Sequence, residues 1–197
     1  MYHLHNIIFL LLFFTLIGCD ESKTKPSLIT QSKEEETKRD TFVLENTSGK
    51  TFALTLSNSK LLFHKRSEGI VLINLFATWC NPCDSLAPYL SDLQNKYEKD
   101  IFIAGIPTHD FANKEGINHF IKKEDLGYFI SYAKDNEDFV SFLIENLSKK
   151  NLNVDSNFSI PLSIMYVEGN YFTHYEGIVP IEMIEYDIQQ AQKQFKK

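Results

Sequence analysis

The stretch "IVLINLFATWCNPCDSLAPYL", residues 70–90, constrains the fold more than any other part of the chain. Its first third, Ile70 to Ala77, is apolar apart from Asn74 and β-branched at its start, the pattern of a strand buried on both faces. Further on, Leu86, Leu90, Leu93 and Tyr97 recur at helical spacing. Pro82 suits the first turn of such a helix, where its missing N–H leaves no bond unmade. The pattern predicts a buried strand ending near Ala77 and a helix over 81–97. Cys80 then stands where the helix begins, and Cys83 one turn further along it.

The flanking pattern extends this βα unit. "TFVLENTSGKTFALTL" is two alternating runs around Ser48-Gly49 and reads as a β-hairpin. "LLFHKRSEG" is ambiguous. "IFIAGI", 101–106, is a second strand of the buried type, and "YFISYA", 128–133, is a short strand candidate. Ile117, Phe120 and Ile121 share one helical face, as do Phe139, Phe142, Leu143 and Leu147. "PLSIMYVEGNYFTHYEG" reads as a hairpin turning near Gly169-Asn170, and Pro180 opens a last helix. Strands alternating with helices, with a hairpin near each end, predict an α/β fold with a mixed sheet covered by helices. The net charge of −6 and the lack of a basic block exclude a nucleic-acid surface, and "GIPTHDF" lacks phosphate-loop spacing.

Three chemistries compete for the C-x-x-C pair. A structural disulfide closing so short a loop gains little by chain entropy, and the domain has no further cysteine to bridge. A structural zinc wants four ligands, but there is one pair, and His64, His109, His119 and His174 show no i,i+4 pairing. Redox exchange fits best, and no metal or other cofactor is expected. Unpaired N–H groups and the dipole at the helix start favour a Cys80 thiolate, the attacking species. Cys83 lies on the same side, closer to the interior. It can attack the resulting mixed disulfide intramolecularly and release the substrate. On this basis Cys80 is expected exposed and Cys83 shielded.

"VLINLFATWCNPCDSLAP" resembles the active-site segment of thioredoxin-like proteins, and most closely the exported, membrane-tethered disulfide reductases of the TlpA/ResA/DsbE kind. "FVLENTSGKTFAL" is similar to the added N-terminal hairpin of that group. "SIPLSIMYVEGNYFTHYEG" is similar to the hairpin that opens with a cis-proline facing the cysteines. The resemblance covers Thr41 onward and implies a thioredoxin-like mixed sheet. It makes Trp79 a flank of the substrate surface, the alternative being a plain core aromatic. It makes Pro161 the cis-proline, and lets Ile160 and Pro161 offer backbone to a substrate strand. Pro82 in the second intervening position favours reduction. Two positions depart from the family: Asn74 stands where thioredoxin has a buried Asp, and Leu86 where the ResA-like reductases have a Glu.

The first 40 residues are of another kind. Ile7 to Ile17 is almost wholly apolar but short for a membrane span, and suits the core of a signal peptide. "LIGC" resembles the lipobox of bacterial lipoproteins, which implies a signal over 1–18, cleavage after Gly18 and a lipid on Cys19. The polar run 20–40 reads as a tether, spanning roughly 25 Å as a coil. The domain, 41–197, is thus expected on the periplasmic side of the cytoplasmic membrane. Its partners would be exported proteins with disulfides, apocytochrome c among them by family analogy, and a membrane thiol as electron donor. Rival readings are a disulfide oxidase or isomerase, a copper-binding chaperone, and a non-catalytic lipoprotein on the same fold. The chaperones use C-x-x-x-C and a His where this chain has Ile160-Pro161.

Overall fold

A computed structural model describes residues 40–57, 60–64, 69–110 and 112–195. The expected signal segment, Cys19 and the tether up to residue 39 lie outside the described residues. Asp40, assigned to the tether from the sequence, already belongs to the first strand.

Alternating residues build β1 (Asp40–Glu45), β2 (Thr51–Ser57) and β3 (Lys60–Phe63) into an antiparallel three-stranded sheet in the order β1-β2-β3. The β1–β2 turn is held by Asn46, whose side-chain oxygen accepts the backbone N–H groups of Ser48 and Lys50. Gly49 takes a φ of 83° in that turn, a conformation open to glycine at little cost. The expected hairpin is therefore present but carries a third strand. In β3, Leu61 and Phe63 point inward while Lys60 and Leu62 face out, an alternation only four residues long and so a weak signal in the sequence.

The main sheet has five strands in the order β6-β5-β4-β7-β8: β4 (Ile70–Phe76), β5 (Ile101–Pro107), β6 (Phe129–Ile130), β7 (Leu162–Val167) and β8 (Asn170–Glu176). β4 runs parallel to β5 and antiparallel to β7. Every residue of β4 and β5 is buried, which explains why their sequences read as unbroken apolar runs. Four helices among the described residues complete the domain: α1 (Asn81–Lys96), α2 (Lys114–Lys123), α3 (Asn136–Lys149) and α4 (Ile181–Phe195). None of them is long and apolar enough to cross a membrane.

The pleat of β4 sorts its side chains onto two faces. Ile70, Leu72 and Phe76 pack with Leu86 and Leu90 of α1, Ile117 and Phe120 of α2, and Ile184 and Ile188 of α4. Val71, Ile73 and Leu75 pack on the opposite side with Phe139 and Leu143 of α3 and with Leu44 and Leu54 of the small sheet. Asn74 shares the pleat of Leu72 and Phe76, so it faces the α1 layer. The strand read over 128–133 is shorter than the sequence suggests. The Ser131 N–H still donates to the Gly105 carbonyl of β5, but its Oγ donates to Asn136 and accepts from the Ala133 N–H, and the backbone turns away after it. Tyr132 then donates its N–H to the Glu45 carbonyl of β1.

Candidate active site

β4 ends at Phe76 and delivers the chain to the rim of the sheet, where Cys80 caps α1. The Cys83 N–H donates to Cys80 Sγ at 3.2 Å, and the two cysteines form a disulfide with Cα atoms 5.2 Å apart. A helix N-terminus leaves such N–H groups short of helical partners, and here the Cys83 N–H, which also donates to the Cys80 carbonyl at 2.9 Å, is shared with the sulfur. The expected contrast in exposure is absent. Cys80 is 5% exposed and Cys83 3% exposed, because both sulfurs sit between the helix start and the segment before β7. Any asymmetry between them in this form is electrostatic rather than one of access.

That segment carries Ile160 and Pro161. The peptide bond joining them is cis, and the Ile160 carbonyl oxygen lies 3.8 Å from Cys80 Sγ. The segment is pinned on both sides: Ser159 donates its N–H to Glu176, and the Pro161 carbonyl accepts the Gly177 N–H. Gly177 leads to Ile178, an apolar side chain 60% exposed beside this segment. Pro82 and Asn81 are exposed on the first turn of α1. Pro88, further along the same helix, has no N–H to offer the Asp84 carbonyl and interrupts the ladder behind the cysteines.

Trp79 is 64% exposed, which removes the core-aromatic alternative. Its indole N–H donates to the His109 carbonyl at 3.2 Å. His109 has a φ of 52° and is held from behind by Glu137. One oxygen of that carboxylate accepts the His109 N–H at 2.8 Å, and the other accepts the Thr108 hydroxyl at 3.3 Å. Asp110 accepts the Thr78 N–H with one oxygen and the Ala112 N–H with the other. Residues 108–110 thus brace the Thr78-Trp79 approach to Cys80. His109, Asp110, Glu137 and Ile178 carry no signal of a place near the cysteines in the sequence. The first two sit in "GIPTHDF", where spacing alone gives neither a phosphate loop nor a histidine pair. Glu137 and Ile178 carry no local signal, since their relation to Trp79 and Pro161 exists only in the fold.

Glu137→Ala removes both bonds to the 108–110 loop and loosens the carbonyl that holds the indole. Trp79 is the chain's one tryptophan, so its emission reports this directly. The expected result is stronger quenching of Trp79 fluorescence by an added quencher in the variant, with the far-ultraviolet dichroism unchanged.

The two family departures lie inside the α1 layer. Asn74 is buried and its side-chain N–H donates to Ser163 Oγ on β7 at 3.0 Å. Leu86 is buried in the core cluster. Asp84 turns away toward α2, pairing with Lys123 at 2.8 Å. The Asp84 and Glu124 carboxylates hold the Lys123 ammonium well above its usual range, the hydrogen bond to Asp84 counting most. The histidines are scattered: His64 bonds Thr55, His174 bonds Tyr171, and the His109 ring lies against Phe158.

Comparison with known proteins places this geometry. Residues 50–120 match the thioredoxin family model. The thiol-disulfide oxidoreductase ResA of Oceanobacillus iheyensis is 32% identical over 68 residues, which is 34% of this chain and 34% of that protein. The chain thus matches about a third of the length of the first curated relatives. Among solved structures, a thioredoxin-family thiol:disulfide interchange protein from Chlorobium tepidum superposes with a TM-score of 0.56 at 19% identity, covering 77% of this chain and 92% of that one. A secreted Mycobacterium tuberculosis disulfide oxidoreductase, described as homologous to E. coli DsbE, gives 0.51 at 16% identity, covering 76% and 95%. With β4 leading into a disulfide-bonded C-x-x-C at the head of α1, this chain has a thioredoxin-like fold, and over residues around that motif it is similar to the thiol-disulfide oxidoreductase ResA.

Proposed function

We propose that this protein is an extracytoplasmic thiol-disulfide oxidoreductase that reduces disulfides of exported proteins. The observation that carries the reading is the Cys83 N–H aimed at Cys80 Sγ, with the Ile160 carbonyl beside the same sulfur. In the dithiol form that N–H favours the Cys80 thiolate over the thiol. The thiolate attacks one sulfur of a substrate disulfide, forming a mixed disulfide and expelling the other substrate sulfur as a thiolate. Cys83, deprotonated, then attacks Cys80 Sγ and releases the second substrate thiol. Two electrons pass to the substrate and Cys80–Cys83 ends oxidised, so a membrane thiol donor must return two electrons. The dithiol itself is the redox group, and no other cofactor takes part. Backbone at Ile160 and Pro161 would pair with the substrate chain by strand addition, with Trp79, Pro82 and Ile178 around the contact.

Tethering through a lipid on Cys19 belongs to the same reading, supported by "LIGC" and the polar run after it. Apocytochrome c is the substrate that family analogy favours. The test of the activity is stoichiometric: the reduced protein, mixed with a disulfide-bonded protein, yields two substrate thiols per Cys80–Cys83 disulfide formed. Failure to exchange thiols at all would remove the reading. For the tether, Cys19→Ala is expected to move the protein out of the membrane fraction or leave an unprocessed precursor. A variant processed and retained like the parent contradicts lipidation.

A further inference from the structure

A groove of about 470 Å³ opens between α3 and the segment 155–158, two residues before Ile160. One wall is a single face of α3, stepping through Glu137, Val140, Ser141, Ile144, Glu145 and Ser148 at helical spacing. Asp155 and Phe158 line the other wall, and His109 stands at one end. Two features join it to the active site. The His109 carbonyl holds the Trp79 indole. Phe158 lies two residues before Ile160, whose carbonyl lies against Cys80 Sγ. A substrate chain paired with the backbone at Ile160 and continuing past Phe158 would run into this groove.

The lining chemistry limits what can lie there. Val140, Ile144 and Phe158 supply an apolar surface. Glu137, Glu145 and Asp155 supply three carboxylates against one ammonium, Lys149, which is already 2.6 Å from Glu145. An acidic segment would be repelled, while a basic side chain next to an apolar one finds partners for both. The groove's volume is that of a small-ligand cleft and suits a few residues of extended chain. We propose that it binds the segment flanking the reactive cysteine of the disulfide substrate, and that it prefers an apolar residue followed by Lys or Arg. This rests on the oxidoreductase reading above and adds the substrate class to it.

The test uses the full chain in its dithiol form with two cystine-linked peptides. Both carry Leu beside the cysteine, followed by Lys in one and by Glu in the other. Hydroxyethyl disulfide, too small to reach the groove, serves as the control. The expected result is a KM for the Lys peptide lower than for the Glu peptide by about fivefold, as for a partly exposed charge contact. Asp155→Asn, which keeps an oxygen for the Asn157 N–H it now accepts, shrinks that ratio, and Ser141→Arg erases or inverts it. Equal KM values for the two peptides in the parent overturn the groove proposal while leaving the oxidoreductase intact. A parent ratio that neither variant moves also overturns it. If the parent reduces neither peptide nor hydroxyethyl disulfide, the oxidoreductase reading fails and the groove proposal falls with it.

Discussion

Cys80→Ser is expected to bring disulfide reduction down to the uncatalysed background, whereas Cys83→Ser stops after one step and accumulates a mixed disulfide through Cys80. The two sulfurs differ little in exposure, 5% against 3%, so access cannot be what separates them. The separation comes from the helix terminus: Cys80 Sγ receives the Cys83 N–H, and among the described residues no helix N–H is directed at Cys83 Sγ. On reduction, the Cys80 thiol is therefore expected to ionise below the ordinary cysteine value of about 8.5. Cys83, buried to much the same degree but not the acceptor of that N–H, should ionise later. Alkylation of the reduced native protein, followed by mass mapping, reads this order. Preferential labelling of Cys80 near neutral pH is the expected result, and preferential labelling of Cys83 would reverse the two roles.

The second large effect concerns the proton that Cys83 must lose. By the resemblance, Asn74 stands where thioredoxin has an Asp and Leu86 where the ResA-like reductases have a Glu, and neither side chain titrates. Asn74 faces the α1 layer from β4 and uses its amide to bond Ser163. The expected consequence is quick attack by Cys80 and slow resolution by Cys83. Asn74→Asp is the conservative repair, because it keeps the size of the side chain and leaves Ser163 Oγ able to donate to it. It is expected to speed the second step of a single turnover. It also carries a pH signature. A buried Asp has its folded pKa raised above the unfolded value of about 3.9, so the folded state binds more protons between the two. The variant's stability then falls with rising pH, by about 1.4 kcal/mol per unit, until the folded pKa is passed. Denaturant titrations at several pH values measure this directly. Leu86→Glu restores the other acid but buries a carboxyl in the core cluster, at a cost of about 1–3 kcal/mol or more. An unchanged second step in a folded Asn74→Asp would mean that water or another group already takes the proton.

The parts of this account that could be read from the chain are those whose physics is local. β4 and β5 announce themselves because a strand buried on both faces needs an unbroken apolar run. α1 is visible because its buried side is periodic and its start carries Pro82, and the β7–β8 hairpin because Gly169 marks its turn at a φ of 78°. β3 was not legible: four residues of alternation do not stand out from a loop, and the strand exists because Leu61 and Phe63 find a core and Leu61 donates to the Gly169 carbonyl. The site divides in the same way. The cysteines and Trp79 lie within one short segment. Glu137 lies on α3 and reaches Trp79 only through His109, a relay that spans three elements and leaves no trace in residue spacing. The even burial of the two cysteines was likewise hidden, because Cys80 is covered by Ile160, eighty residues away.

The reduction potential of the Cys80–Cys83 couple tests the central claim most directly. Thioredoxin-fold proteins span reductants near roughly −270 mV and oxidants near roughly −120 mV, and the fold itself does not choose between them. The measurement is an equilibration of the protein against redox buffers of known potential, with the disulfide read by alkylation and by Trp79 emission. A value near that of thioredoxin is predicted, since Pro82 holds the second intervening position and the role assigned is to give electrons to exported substrates. A value near the oxidising end would contradict the account and make this chain a disulfide donor.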